Sequence, residues 1–401
     1  MSARRVLIVH NRYQIRGGED AVVEREAAAL TRAGCTVETL FFSNDDIKGP
    51  VDRLRAAIEA PHARRGIARV VEAVRRFRPD VVHAHNTFPL VSPGVFAAVR
   101  AEGAATVQTL HNFRLACAGA LLMRDGQPCE TCVTGSAYAA VRHGCYRGST
   151  VGSFAVARMI ERHRRIGTWT RDVDAFVVLT PFARGRFVAA GLPPERILVK
   201  PNGLPDPGPP SEAVRERILF AGRLSREKGV ETLKAAAAQL GRSIDVAGEG
   251  PLRESLEGAE NLDLLGTLPG AEVQARMARA AALVVPSLWY EGLPMVVAEA
   301  YAAGTPVIAS RIGALADLVE DGVTGLLVTP GDPADLARAM ARILADPPAA
   351  RRMGQAARAA YLRDWTEEAT TAALLSIYRR ACAARTSTPL PLATPVLEIA
   401  R

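Results

Sequence analysis

Aromatic residues are scarce, 5% of 401 positions, and the arginines are scattered through helical stretches rather than run together in blocks. A nucleic-acid surface needs basic patches interleaved with aromatic platforms, so no nucleic-acid partner is expected. Long apolar runs are missing too: none reaches the roughly 18 residues of a membrane span, and no spanning helix is expected. The opening Met1-Ser2-Ala3-Arg4-Arg5 leads straight into Val6-Leu7-Ile8-Val9 without a signal-peptide core, which makes the expected location cytoplasmic. There are only six cysteines, four of them between 117 and 145. In a reducing compartment such a cluster favours metal or buried thiols over disulfides.

What is present describes a folded chain of two domains. Hydrophobic residues make up 48% and charged residues 23%, a globular balance, and the length exceeds what one ordinary core supports. The formal charge of +8 favours acidic partners or an anionic membrane face.

The first half alternates strand and helix. Strands are expected at Arg4 to His10, Val37 to Phe41, around Val81-Val82-His83, at Thr106 to Leu110, Asp174 to Leu179 and Arg196 to Val199. Gly17-Gly18 lies between the first strand and a helix from about Glu19 to Arg32, where backbone could approach a phosphate or sugar. His111 follows a strand end, the edge at which open parallel sheets bind ligands. His83 is read as a partly buried residue with a hydrogen bond. The proline-rich stretch from Pro201 to Pro210 marks the boundary, placing a first domain at 1–203 and a second at 204–365.

The second half is more regular, with strands at Arg217 to Ala221, Ser243 to Ala247, Leu262 to Leu265, Ala282 to Val285, Pro306 to Ala309 and Gly325 to Val328. Helical stretches between them imply a parallel α/β sheet. Three strand ends carry special loops: Gly222 to Gly229 with Arg223 and Lys228, then Gly248-Glu249-Gly250-Pro251, then Trp289 to Met295. The last turns through Glu291-Gly292 into a helix opened by Pro294, leaving amides around Leu293 to Met295 free to meet an anion. Glu299 sits about two turns into that helix.

Two fixed cations, a cluster of amides and a carboxylate match a nucleoside diphosphate: cations and donors for the phosphates, an acceptor pair for the ribose diol. The same groups would stabilise a diphosphate as it leaves, without a required divalent ion. No D-x-D pattern between strands suggests a metal-held diphosphate.

On F-A-G-R-L-S-R-E-K-G-V at 220–230, V-A-G-E-G-P at 246–251 and E-G-L-P-M-V-V-A-E at 291–299, the chain resembles the retaining glycosyltransferases of family four. That resemblance covers roughly 4–380. It implies a GT-B fold: two facing Rossmann-like domains and, at 366–385, a crossover helix returning to the first, ahead of a loose tail at 386–401. It also implies that Arg223 and Lys228 bind the donor diphosphate, Glu299 the ribose and Glu291 the donor sugar, with Thr267 and Leu268 near the base. Gly17-Gly18 would be the family's glycine-rich first loop and His111 its active-site histidine. The donor would be UDP- or GDP-linked, and the acceptor a glycan or lipid-linked intermediate of surface polysaccharide. Asn202-Gly203 is followed by Leu-Pro, where many members have an aliphatic residue and Asp. An epimerase of the same fold, or a non-catalytic nucleotide-sugar-binding protein, is the alternative.

Residues 113–170 break the strand-helix rhythm and read as an insertion with little core of its own. Cys117, Cys129, Cys132 and Cys145, spaced C-x11-C-x2-C-x12-C, could close a structural zinc site; reduced thiols are the other reading. Val151 to Trp169 is a basic amphipathic helix that could rest on an anionic bilayer, or simply pack on the sheet.

Overall fold

The computed structural model describes residues 4–14, 17–210 and 215–387. The tail expected beyond the last helix falls outside them from 388 onward.

The first sheet is built from β1 (Arg5–Arg12), β2 (Thr36–Ser43), β3 (Val81–Ala84) and β4 (Ala105–Leu110). A short hairpin of β5 (Met123–Arg124) and β6 (Gln127–Pro128) follows, and β7 (Ala175–Val178) and β8 (Ile197–Val199) complete the sheet. Its order is β2-β1-β3-β4-β7-β8, with every pair parallel. Parallel sheets are covered on both faces, which is why β1 reads as an unbroken apolar run. Val6, Leu7, Ile8 and Val9 are all fully buried. Leu7 and Val9 pack with Val70, Val74 and Phe96 on one side. Val6 and Ile8 point the other way, onto Val23, Leu30, Leu374 and Tyr378. Each such side chain contributes roughly 2 kcal/mol by leaving water.

The second sheet contains β9 (Arg217–Ala221), β10 (Ile244–Ala247), β11 (Leu262–Gly266), β12 (Ala280–Val285), β13 (Val307–Ser310) and β14 (Gly325–Val328). Their order is β11-β10-β9-β12-β13-β14, again all parallel. Strand order reverses between β1 and β3 in one sheet and between β9 and β12 in the other. A crevice opens at such a reversal, because the flanking connections leave in opposite directions.

The chain passes between the domains twice, at one place. Leu204 bridges Thr366 in parallel, its N–H donating to the Trp365 carbonyl at 3.0 Å and its carbonyl accepting from the Tyr361 hydroxyl at 3.0 Å. Beyond this paired hinge the helix Glu367–Ser387 returns to the first domain and supplies the cover over Val6 and Ile8. This is the GT-B arrangement expected from the sequence.

The insertion does have a core, contrary to expectation. Ala118, Ala137, Ala140, Val156, Met159 and Ile160 form a buried cluster together with Ala60 and Cys132. Small residues let its short helices approach closely, and that closeness was not readable from a missing strand-helix rhythm.

Candidate active site

At the reversal in the second sheet, the loop after β9 and the loop after β12 lie side by side. Gly229 is pressed so closely on Pro286 that an added Cβ would stand 1.9 Å from its carbonyl oxygen. The contact aims Lys228 at the second loop. Its ammonium lies 2.7 Å from Glu291 Oε1 and 5.5 Å from the centre of the Trp289 ring. Glu291 is buried, and the same oxygen accepts from the Ser287 hydroxyl at 2.7 Å. Ser287 was missed in the sequence, although its place just past β12 in the loop of the E-x7-E stretch was a signal. Arg223 is exposed and its side chain has no partner among the described residues. One cation is therefore free for an anion, and the other is held ready on a carboxylate.

The helix after this loop runs Met295–Ala302 and has no acidic residue in its first turn. Pro294 is its N-cap and carries no N–H, so the donors around it are Leu293, Met295 and Val296, a correction to the expected set. The corresponding helix of the first domain, Gly18–Arg32, differs in sign. Glu19 and Asp20 occupy its first turn, and the Gly17 N–H is taken by Asp20 Oδ2 at 2.9 Å. Gly17 thus does not offer its amide to a phosphate, and Gly17 and Gly18 face open space instead. An acidic first turn disfavours an anion, in contrast to the uncharged first turn of the second-domain helix.

Gly248 and Gly250 were expected to touch the donor. The structure shows both packed on backbone: at φ +144°, Gly248 lies so close to Gly222 that a Cβ would meet its carbonyl oxygen at 1.9 Å. The two glycines hold the β10 loop against the loop carrying Arg223. Beyond β11, Thr267 is exposed and Leu268 packs partly on the core of this domain. Glu299 borders a groove of about 270 Å³ with Leu204, Pro205 and Gln274 at the hinge. Burial pushes its carboxyl up from the usual range, and the charge of Arg25 from the first domain partly offsets this. Arg25 Nε is itself buried without a hydrogen-bond partner.

The two domains close on each other here. A Cβ on Gly292 would lie 2.9 Å from the His111 carbonyl oxygen, so the Glu291 loop sits directly on the loop after β4. Tyr290 packs on Phe182 with ring centres 4.6 Å apart. His111 is thereby placed beside the second-domain loop.

Behind His111 runs a buried chain of polar groups. His111 Nε2 is 2.9 Å from His85 Nδ1, and the two rings stack with centres 5.2 Å apart. His85 Nε2 lies 3.2 Å from Glu26 Oε1, and Glu26 Oε2 meets the Lys200 ammonium at 2.5 Å. His83 joins through Glu26 Oε1 at 3.3 Å; its nitrogens bond the Tyr378 and Thr109 hydroxyls at 2.7 Å each. Burial raises the Glu26 carboxyl, but Lys200, His85 and His83 outweigh it and hold the acid well below its usual range. Burial and the neighbouring His85 hold His111 and His83 well below theirs, so both are neutral rings. His83 is fully buried rather than partly so. Glu26 was missed, yet it stands among Val22, Val23, Ala29 and Leu30 on the inward face of its helix, where a charge needs a partner.

Glu26, His83 and His85 are also the one set of three ligating side chains within 4.8 Å of one another among the described residues. Lys200 already supplies the counter-charge, and both His83 nitrogens are engaged, so the arrangement suits an ion pair better than a metal. The four cysteines are not such a set. Cys132 is pushed up to about 11 by burial and by Cys117, Cys145 and Cys129, which places all four in one neighbourhood. No three of their sulfurs lie within 4.8 Å of one another, wider than the roughly 3.8 Å edge of a ZnS4 tetrahedron. The expected cage is therefore not formed in the observed conformation.

Residues 209–360 match the family described as glycosyl transferases group 1, and residues 17–203 match the glycosyl transferase 4-like domain. Glycogen synthase of Mycobacterium tuberculosis is 30% identical over 325 residues, 76% of this chain and 69% of that one. The chain belongs to the GT4-type glycosyltransferases. D-inositol 3-phosphate glycosyltransferase of an Arthrobacter species is 27% identical over 405 residues, covering 91% of this chain and 90% of its own. Among solved structures, Anabaena HepE in complex with UDP superposes with a TM-score of 0.64 at 18% identity, over 92% of this chain and 98% of that one. The glycosyltransferase accordingly has the GT-B fold and takes a nucleotide-sugar donor. No helix among its described residues is long and apolar enough to cross a membrane.

Proposed function

We propose that this glycosyltransferase moves a sugar, with retention of configuration, from a UDP- or GDP-linked donor to a hydroxyl of a glycan or lipid-linked acceptor. Its setting is cytoplasmic assembly of cell-surface polysaccharide. The observation that carries the reading is the pairing of Lys228 with Glu291 at the sheet reversal, under the His111 loop and beside Arg223, which has no partner among the described residues. A donor diphosphate entering there competes for Lys228 and takes up Arg223 and the amides of Leu293, Met295 and Val296. Glu291, released, faces the sugar hydroxyls, and Glu299 accepts from the ribose diol. The acceptor hydroxyl attacks the anomeric carbon on the face the diphosphate leaves; its proton passes to a diphosphate oxygen as the old C–O bond breaks. Cations and amides carry the developing charge, so no divalent ion is required. The resemblance to UDP-bound HepE favours UDP as the first donor to try.

Structural zinc on Cys117, Cys129, Cys132 and Cys145 belongs to the same proposal, with closure of the cluster on the ion. An epimerase reading would need sugar-nucleotide conversion without acceptor, and no feature of the site favours it.

The test is calorimetric titration with UDP, GDP, ADP and their sugar conjugates in the presence of chelator. One nucleotide should bind, and Glu299→Ala should weaken it about tenfold, the worth of a charged hydrogen-bond acceptor. Lys228→Ala should lower kcat by about two orders of magnitude. Parental kinetics and affinity in both variants would overturn the site.

A further inference from the structure

The basic amphipathic helix, read from sequence as either resting on a bilayer or packing on the sheet, is only half of a larger surface. Residues 47–65 and 138–165 hold eleven Lys and Arg against three Asp and Glu, an excess equal to the +8 of the whole chain. The rest of the sequence is balanced. Folding brings both stretches to one side of the first domain, where the helices Pro50–Glu59 and Thr150–Arg165 pack together.

Much of the longer helix is used internally. His163 is buried on the Pro61 carbonyl and the Thr168 hydroxyl, Arg164 binds the Gly135 and Cys132 carbonyls, and Arg158 binds those of Ala57 and Ile58. What remains outward is distinctive. Val51, Leu54 and Ile58 form one stripe at helical spacing and are 69%, 60% and 60% exposed; Val151 and Phe154 form another at 67% and 49%. Tyr138 joins them, its ring 5.8 Å from Phe154 and on the wall of the same groove as Ile58. Single exposed apolar residues are ordinary, but two exposed rows on neighbouring helices are not.

Adjoining these rows, with Ile58 and Tyr138 on its wall, is a groove of about 800 Å³ bordered by Arg64, Arg162 and Arg165, none of which has a carboxylate partner among the described residues. Glu161 on its wall is already engaged by Ser136, the Ala137 amide and Arg164, leaving Glu59 as the opposing charge. The uncompensated guanidinium field is felt by His62, which burial and then Arg162 and Arg64 hold below its ordinary range.

We propose that this face seats the protein on an anionic phospholipid bilayer, with the aliphatic rows in the headgroup layer and lipid phosphate in the arginine groove. Aliphatic side chains standing between guanidinium groups suit the interface of acyl chain and headgroup. Nucleic acid would be met by stacking platforms, and the rows offer mainly Val, Leu and Ile. Met159, buried on the same helix, lines the small cavity that His111 and Arg114 share, so this helix connects the proposed lipid-facing surface with the His111 side of the domain. The proposal does not depend on which sugar or acceptor the enzyme uses.

The full chain is tested by co-sedimentation with vesicles of phosphatidylcholine alone and of phosphatidylcholine containing about one-third phosphatidylglycerol. Partition into the anionic vesicles should exceed that into neutral ones at least tenfold and fall steeply by about 0.5 M salt. The double variant Arg162→Glu with Arg165→Glu should lose at least tenfold in partition, and Leu54→Ser with Phe154→Ser severalfold, both with a parental melting curve. Equal or absent binding to the two vesicle types would overturn the proposal, as would parental partition of the charge-reversed protein. Tighter capture of an RNA oligonucleotide, lost in that variant, would replace the membrane with nucleic acid.

Discussion

At the residue scale, His111 is defined as much by what stands behind it as by what it faces. Glu26 is ionised, and its Oε1 faces His85 Nε2 at 3.2 Å as a charge contact outside hydrogen-bond geometry. With the His85 Nε2–H turned toward that charge, His85 Nδ1 accepts, and His111 Nε2, 2.9 Å from it, is expected to carry the hydrogen. The lone pair of neutral His111 is left on Nδ1. Nitrogen-15 spectra of labelled histidine should show His111 as the Nε2–H tautomer at neutral pH. In Glu26→Gln the neutral amide no longer imposes that order, so the Nε2–H population should fall. A drop of about tenfold in kcat with unchanged donor affinity should accompany it. A parental His111 protonated on Nδ1 would refute the chain of donors. Lys200, 3% exposed beside Glu26, loses its counter-ion in that variant, so a loss of about 3 kcal/mol of stability is expected as well and is read separately from the melt.

At the scale of elements, the insertion shows what four thiols can and cannot do. Its own buried cluster holds the short helices together, and the cysteines are spread wider than a metal cage. Burial and mutual repulsion push Cys132 up to about 11, a penalty on thiolate that a dication would reverse. Near-stoichiometric zinc is expected in protein purified without chelator, lost in Cys129→Ser and released as pH falls and thiols reprotonate. Zinc-free native protein would end that assignment. The insertion also marks where sequence stops being legible. Apolar runs such as Val6 to Val9 and Ala280 to Val285 announce buried parallel strands on their own, and the loops at their ends announce a ligand edge. Nothing local states that Gly292 lies on His111, or that Lys200 meets Glu26 across 174 positions. Those meetings depend on how two sheets face each other. Glycines gave the least: Gly17, Gly18, Gly248 and Gly250 read alike in sequence, yet one pair faces open space and the other is packed against backbone.

For the molecule as a whole, burying neutral histidines ties folding to pH. His10 is fully buried, with Nε2 2.9 Å from Asp20; burial, with help from the charges of His85 and Arg12, outweighs that carboxylate and brings it down to about 4. His163 is held at about 4 by burial, despite its bond to the Pro61 carbonyl. Unfolded, both would titrate near 6.5. Between those values the unfolded chain binds more protons than the folded one, so stability is full above pH 6.5 and is lost as pH falls toward 4. Each ring is worth about 2 kcal/mol by pH 5, and His83 and His111 add in the same direction. Lowered carboxyls such as Asp321 and Asp335 act further down, whereas Glu19, pushed up to about 7 by burial, gains stability as pH falls through this window and offsets about one of the rings. The melting temperature should be flat from pH 8 to about 7 and then drop by several degrees before pH 5. Because His10 and His163 belong to the first domain, donor binding at the second-domain loops should survive until the unfolding itself sets in. A melting temperature constant from pH 7 to 5 would mean that the buried rings take up protons without cost, contrary to their lack of solvent.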